Sequence, residues 1–115
     1  MHEYSIVQAL FDQIDEAARA QAATAVRRVK VSIGELAGVE VSLLRTAYDT
    51  FRARTLCEEA PLEVREIPAR WTCPGSHGDI PRGRALACPT CGRPARLAAG
   101  DEIVLEQVEL EVPDV

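Results

Sequence analysis

The chain has 115 residues, 47% of them hydrophobic and 27% charged, with a formal net charge of −5. That length suits one hydrophobic core with a small insertion, and the composition excludes fibrous and disordered classes. No apolar run approaches the roughly 20 residues of a bilayer span, the start carries no basic leader, and the negative charge disfavours general nucleic-acid binding. The expectation is a cytoplasmic protein.

Residues 3–22 place Ile6, Leu10, Ile14 and Ala17 at helical spacing, widened by Val7, Phe11 and Ala18, with Asp12, Asp15, Glu16 and Arg19 on a wet face. Val29, Val31 and Ile33 then alternate with Lys30 and Ser32 up to Gly34, predicting a half-buried strand over about 26–33. After a turn, Leu43, Leu44, Ala47, Tyr48 and Phe51 mark a second helix, started by Glu40 or Ser42 and expected to end near Cys57. Leu62 and Val64 alternate with charged residues up to Pro68, and residues 102–112 are rich in Ile, Val and Leu, giving two further strands.

The segment between these last strands differs in composition. It holds Pro74, Pro81, Pro89 and Pro94, three of the four cysteines and no periodic apolar pattern, so a metal or disulfides must hold it together. Arg70, Arg82, Arg84, Arg93 and Arg96 stand against Asp79 alone, a net of +4 that leaves the remaining chain at −9. Such asymmetry predicts attraction to an acidic partner or to the protein's own body. The fold class expected is α+β: two helices on a small, mainly antiparallel three-stranded sheet, built from residues 1–68 and 99–115, with a zinc-ribbon-like insertion at 69–98.

Cys57, Cys73, Cys88 and Cys91 in a chain without a signal peptide point to metal or redox chemistry before disulfides. Cys88-Pro89-Thr90-Cys91-Gly92 is a zinc-knuckle half-site: two intervening residues let both thiolates meet one ion, and glycine permits the turn beneath. Its counterpart is Cys73-Pro74-Gly75-Ser76-His77, where Ser76 stands at the place of a second cysteine. A serine hydroxyl stays protonated near neutrality, whereas the imidazole of His77 is a good ligand. Three cysteines and His77 would close a tetrahedral, structural site. The competing readings are a redox dithiol at Cys88 and Cys91, and an exposed loop histidine at 77. Cys57 is read as a free, partly buried thiol at a helix end.

His2 is the other histidine. The terminal amine, the His2 amide and imidazole, and the Glu3 amide offer a nitrogen-rich plane that suits Ni(II) or Cu(II), with the carboxylate of Glu3 or Glu40 as a cap. Protons compete for these groups, so affinity should fall as pH drops. A histidine at position 2 is weak by itself.

The run Met1-His2-Glu3-Tyr4-Ser5-Ile6-Val7, then Val31-Ser32-Ile33-Gly34-Glu35, then the late cysteine module, closely resembles the HypA/HybF family of hydrogenase maturation factors. The resemblance implies a nickel metallochaperone, not an enzyme, that binds Ni(II) transiently and delivers it to the [NiFe]-hydrogenase large subunit with a HypB-like GTPase. It implies His2 as nickel ligand with Glu3 beside it, and a structural Zn(II) at Cys73, Cys88 and Cys91, which match three of the family's four zinc cysteines. The remaining position has become Ser76, leaving His77, Ser76 or no residue as fourth ligand. No nucleic-acid or membrane partner is implied, and the state is monomer or homodimer. No phosphate-binding glycine loop, HExxH or serine or cysteine with a neighbouring histidine base is present. The alternative is a small zinc ribbon binding nucleic acid or protein through its arginines, for which Trp71 is the sole stacking group in the insertion.

Overall fold

The computed structural model describes residues 2–83 and 86–113, and of His2 the backbone alone. In chain order the elements are α1 (His2–Ala20), β1 (Ala25–Gly34), α2 (Val41–Phe51), β2 (Leu62–Ile67), β3 (Arg70–Thr72), β4 (Asp79–Ile80), β5 (Arg96–Ala99) and β6 (Ile103–Glu111).

In α1 the apolar stripe behaves as its spacing requires: Val7, Leu10, Ile14 and Ala18 are buried. The helix stops at a left-handed Ala22 (φ 53°), where the Ala23 amide donates to the Ala18 carbonyl (2.9 Å) and the Ala22 amide to that of Arg19 (3.2 Å). These bonds satisfy carbonyls that would otherwise be orphaned at the helix end. In β1 the buried valines at 26 and 29 break strict alternation, and a register irregularity between Val26 and Arg28 absorbs the extra residue, so both reach the core.

Helix α2 buries Leu44, Ala47 and Tyr48 and ends at Phe51, earlier than its apolar pattern suggested. The Arg52 amide still bonds the Tyr48 carbonyl, but Arg54 turns left-handed (φ 64°) and the Thr55 hydroxyl takes the Cys57 amide. Cys57 is therefore in a turn beyond the helix, and it is fully buried, at 1% exposure, where partial burial was expected.

The main sheet has the order β2-β1-β6. β1 pairs with β6 antiparallel, from Ala25 opposite Glu111 to Ile33 opposite Ile103, and with β2 parallel, from Val29 opposite Leu62 to Gly34 opposite Ile67. The longer ladder is antiparallel as expected, yet the sheet is mixed, because α2 carries the chain back across the sheet and a helical crossover returns a strand parallel to the first. Both helices cover one face around Tyr48, Leu44 and Ile14. The other face carries exposed ion pairs centred on Arg28, 3.0 Å from Glu63 and 3.1 Å from Glu109. Pairs of this kind contribute at most about 1 kcal/mol each and chiefly keep the face wet.

The proline-rich segment forms a second three-stranded sheet, β4-β3-β5. Its composition hid these strands, since each is only two to four residues long. Cys73, Ile80 and Cys88 form the small buried cluster there, flanked by Trp71 and Ala95.

Candidate metal centre

Two tight turns bring four ligand-type side chains together. In the first, the Ser76 amide bonds the Cys73 carbonyl (3.1 Å) and the Cys73 amide the Gly78 carbonyl (3.0 Å). A left-handed Ser76 (φ 69°) inside that turn places the imidazole Nδ1 of His77 3.2 Å from the Cys73 sulfur. In the second, the Gly92 amide returns to the Cys88 carbonyl (2.8 Å), with Gly92 itself left-handed (φ 73°), which a side chain would resist.

The ligand atoms of Cys73, His77, Cys88 and Cys91 all lie within 4.8 Å of one another. The Cys73 and Cys91 sulfurs are 3.5 Å apart, and the Cys88 sulfur is 3.7 Å from His77 Nδ1. The sulfur separation is far beyond the about 2.05 Å of a disulfide. Of the sequence-predicted zinc ligands, all four meet; Ser76 contributes the backbone turn. Cys57 is buried in the main core, apart from them.

Backbone amides tune the thiols. Gly75 donates to the Cys73 sulfur at 3.3 Å and Thr90 to the Cys88 sulfur at 3.4 Å. Burial pushes the Cys73 thiol up, but hydrogen bonds from the His77 and Gly75 amides and the neighbouring thiols outweigh it and bring it down to about 7. The Cys91 amide, helped by Thr90 and opposed by burial, holds Cys88 below the ordinary thiol range. For Cys91 the Arg93 amide pulls downward, yet burial and the thiols of Cys73 and Cys88 win and raise it. Three thiolates so close repel, and a bound dication is what would relieve that.

Beyond the 35–39 turn that follows β1, the Glu40 amide donates to the Glu3 carboxylate (3.3 Å), bringing together the first turns of α1 and α2. Met1 and the side chain of His2 lie outside the described residues. Arg82, counted in the charge excess expected to attract an acidic partner or the protein's own body, engages Glu35 across the two sheets, a pairing that sequence reasoning did not name. That excess was the available signal.

Residues 1–110 match the family model described as "Hydrogenase/urease nickel incorporation, metallochaperone, hypA". The chain is 38% identical over 113 residues to the hydrogenase maturation factor HypA of Shewanella baltica, covering 96% of this chain and 97% of that one. It is 39% identical over 113 residues to the factor of that name from Nitrosospira multiformis, with 96% and 97% covered. The fold superposes on the solution structure of the Ni metallochaperone HypA from Helicobacter pylori with a TM-score of 0.72 and 30% identity, covering 96% of this chain and 98% of that one. A match this complete, running through terminus, sheet and cysteine turns alike, means that the chain belongs to the HypA family of hydrogenase maturation factors.

Proposed function

We propose that this protein is a cytoplasmic nickel carrier for [NiFe]-hydrogenase maturation, taking Ni(II) at its N-terminus and handing it on without catalysing a reaction. The observation that carries this reading is the family match from residue 1 to residue 110, which includes the Met1-His2-Glu3 start. The terminal amine, the His2 amide and imidazole and the Glu3 amide supply nitrogen donors for the cargo ion, and Glu3 or Glu40 a carboxylate. The body built from residues 1–68 and 99–115 carries this end, and residues 69–98 form the zinc-binding module. The partners are a HypB-like GTPase and the hydrogenase large subunit.

The four convergent side chains fit a resident zinc ion. Bonds of about 2.3 Å to sulfur and about 2.0 Å to nitrogen give a tetrahedron with edges of about 3.5–3.8 Å. The separations of 3.2, 3.5 and 3.7 Å stand close to that. Cys73, His77, Cys88 and Cys91 would hold the ion, and when bound it supplies a cross-link between the two turns. With four protein donors the site is closed, so cargo nickel belongs elsewhere.

Nickel titration of the zinc-loaded protein and of His2→Ala tests the terminal site. The variant is expected to lose at least about tenfold in affinity, since losing even an outer-shell partner of a ligand costs about 10–100-fold. Equal affinity in parent and variant would sink the proposal.

A further inference from the structure

The Ile33-Gly34-Glu35 turn belongs to neither metal site, yet both passages of the chain between the two sheets run against it. The Glu35 amide bonds the Ile67 carbonyl (2.8 Å), the Leu36 amide the Gly100 carbonyl (2.7 Å), and the Gly34 amide the Glu102 carbonyl (2.8 Å). The Glu35 carboxylate then makes a two-pronged contact with Arg82, at 2.7 Å to Nη1 and 2.8 Å to Nη2. It also accepts the Ala69 amide at 2.9 Å, at the point where the chain enters the second sheet. On its other side Glu35 opens the 35–40 turn, whose last residue, Glu40, is bonded through its amide to Glu3.

We propose that Glu35 is a positioning residue that locks the cysteine module onto the helical body and, through the 35–40 turn, holds the N-terminal end in its nickel-binding arrangement. An isolated exposed ion pair does little, but a bidentate fork with a third, backbone bond is the geometry in which such pairs count. The fork is the side-chain contact that spans the junction of two separately built units, so loosening it frees their relative motion without opening either core. The nickel part of this inference rests on the reading of the terminus proposed above.

The test uses the zinc-loaded full chain with Glu35→Ala, Arg82→Ala and the double variant. Residual dipolar couplings of backbone amides are expected to fit one alignment tensor for both sheets in the parent and to require two in Glu35→Ala. Ni(II) affinity is expected to fall about fivefold in each single variant, the low end of coupling between sites, and no further in the double variant than in Glu35→Ala. Losses that added up would mean the two residues act independently of their contact, and a merely structural role would lower the melting temperature while leaving Ni(II) affinity at the parental value. One tensor in Glu35→Ala, or parental nickel affinity in both single variants, overturns the proposal. Should Glu35→Ala fail to fold, Arg82→Ala decides, because it removes only an exposed guanidinium. Parental nickel binding by His2→Ala would defeat the terminal-site reading alone, and the tensors would still decide the joint.

Discussion

Gly34 and Gly100 meet backbone to backbone where the two sheets join. A Cβ at Gly34 would overlap the carbonyl group of Gly100, and one at Gly100 would stand 2.5 Å from the Cα of Ala69. Both obstacles are backbone, so no side chain can swing aside. Gly34→Ala should therefore cost about 2–4 kcal/mol, seen as a fall in melting temperature on the order of 10 °C. Gly38→Ala is the control: its Cβ meets nothing within 4 Å, and only the left-handed backbone (φ 75°) opposes it. That costs about 1–2 kcal/mol. Parental melting by Gly34→Ala would mean the close approach is absent in solution.

Tyr48 is fully buried, stacked on Phe11 at 5.5 Å, and donates its hydroxyl hydrogen to the Ala60 carbonyl at 2.7 Å. Tyr48→Phe leaves that carbonyl unpaired and should cost about 1–3 kcal/mol in urea unfolding at pH 7. Burial, followed by the nearby Cys57 thiol, raises the Tyr48 phenol well above its ordinary value of 10.0. A raised folded value means the neutral form is favoured, so its contribution is complete below pH 10 and is lost as pH climbs beyond it. Stability should fall more steeply above pH 10 in the parent than in Tyr48→Phe, where Cys57, itself raised by burial, is left to titrate. Identical slopes would contradict the phenol's part.

The Arg82 guanidinium, then the Ala69 amide, hold the Glu35 carboxyl at about 2, against an ordinary 4.5. The folded value is depressed, so the stabilisation is complete above pH 4.5 and drains as pH falls through about 2. Carboxyl ¹³C resonances followed through that window should show Glu35 titrating last. A midpoint near 4.5 would mean that the fork with Arg82 does not persist in solution.

Trp71 is the sole tryptophan and packs on the small cluster of Cys73, Ile80 and Cys88. Removing the metal with a chelator should leave too little core to hold this sheet, so Trp71 emission should shift to the red. Far-ultraviolet circular dichroism should change little, because α1 and α2 pack around a separate core. His77→Ala should reach the same endpoint at lower chelator concentration. Collapse of the helical signal together with the tryptophan shift would show that the two units unfold as one.

Legibility followed the range of the interaction. The stripe of Val7, Leu10 and Ile14 and the alternation of Val29, Val31 and Ile33 are local periodicities, and each was visible before folding. The end of α2 was not, because it is set by the left-handed Arg54 and by the Thr55 hydroxyl that takes the Cys57 amide, neither of which an apolar pattern displays. The strands β3, β4 and β5 escaped notice since two to four residues cannot display a period. For the cluster of thiols and imidazole, the residue types named the four side chains, but the approach of His77 to Cys73 depends on a left-handed backbone at position 76 that no propensity favours.

By itself, then, the sequence determined the helices, the long strands, the charge imbalance and the thiol and imidazole chemistry, because residue type and short spacing suffice for these. Tertiary structure decided the rest: the parallel seating of β2 on β1, the meeting of the two metal turns, and the grip of Glu35 on Arg82, 47 residues away. These depend on where the chain returns after a crossover. Closure of a loop is a property of the whole packed core, and no local pattern encodes it.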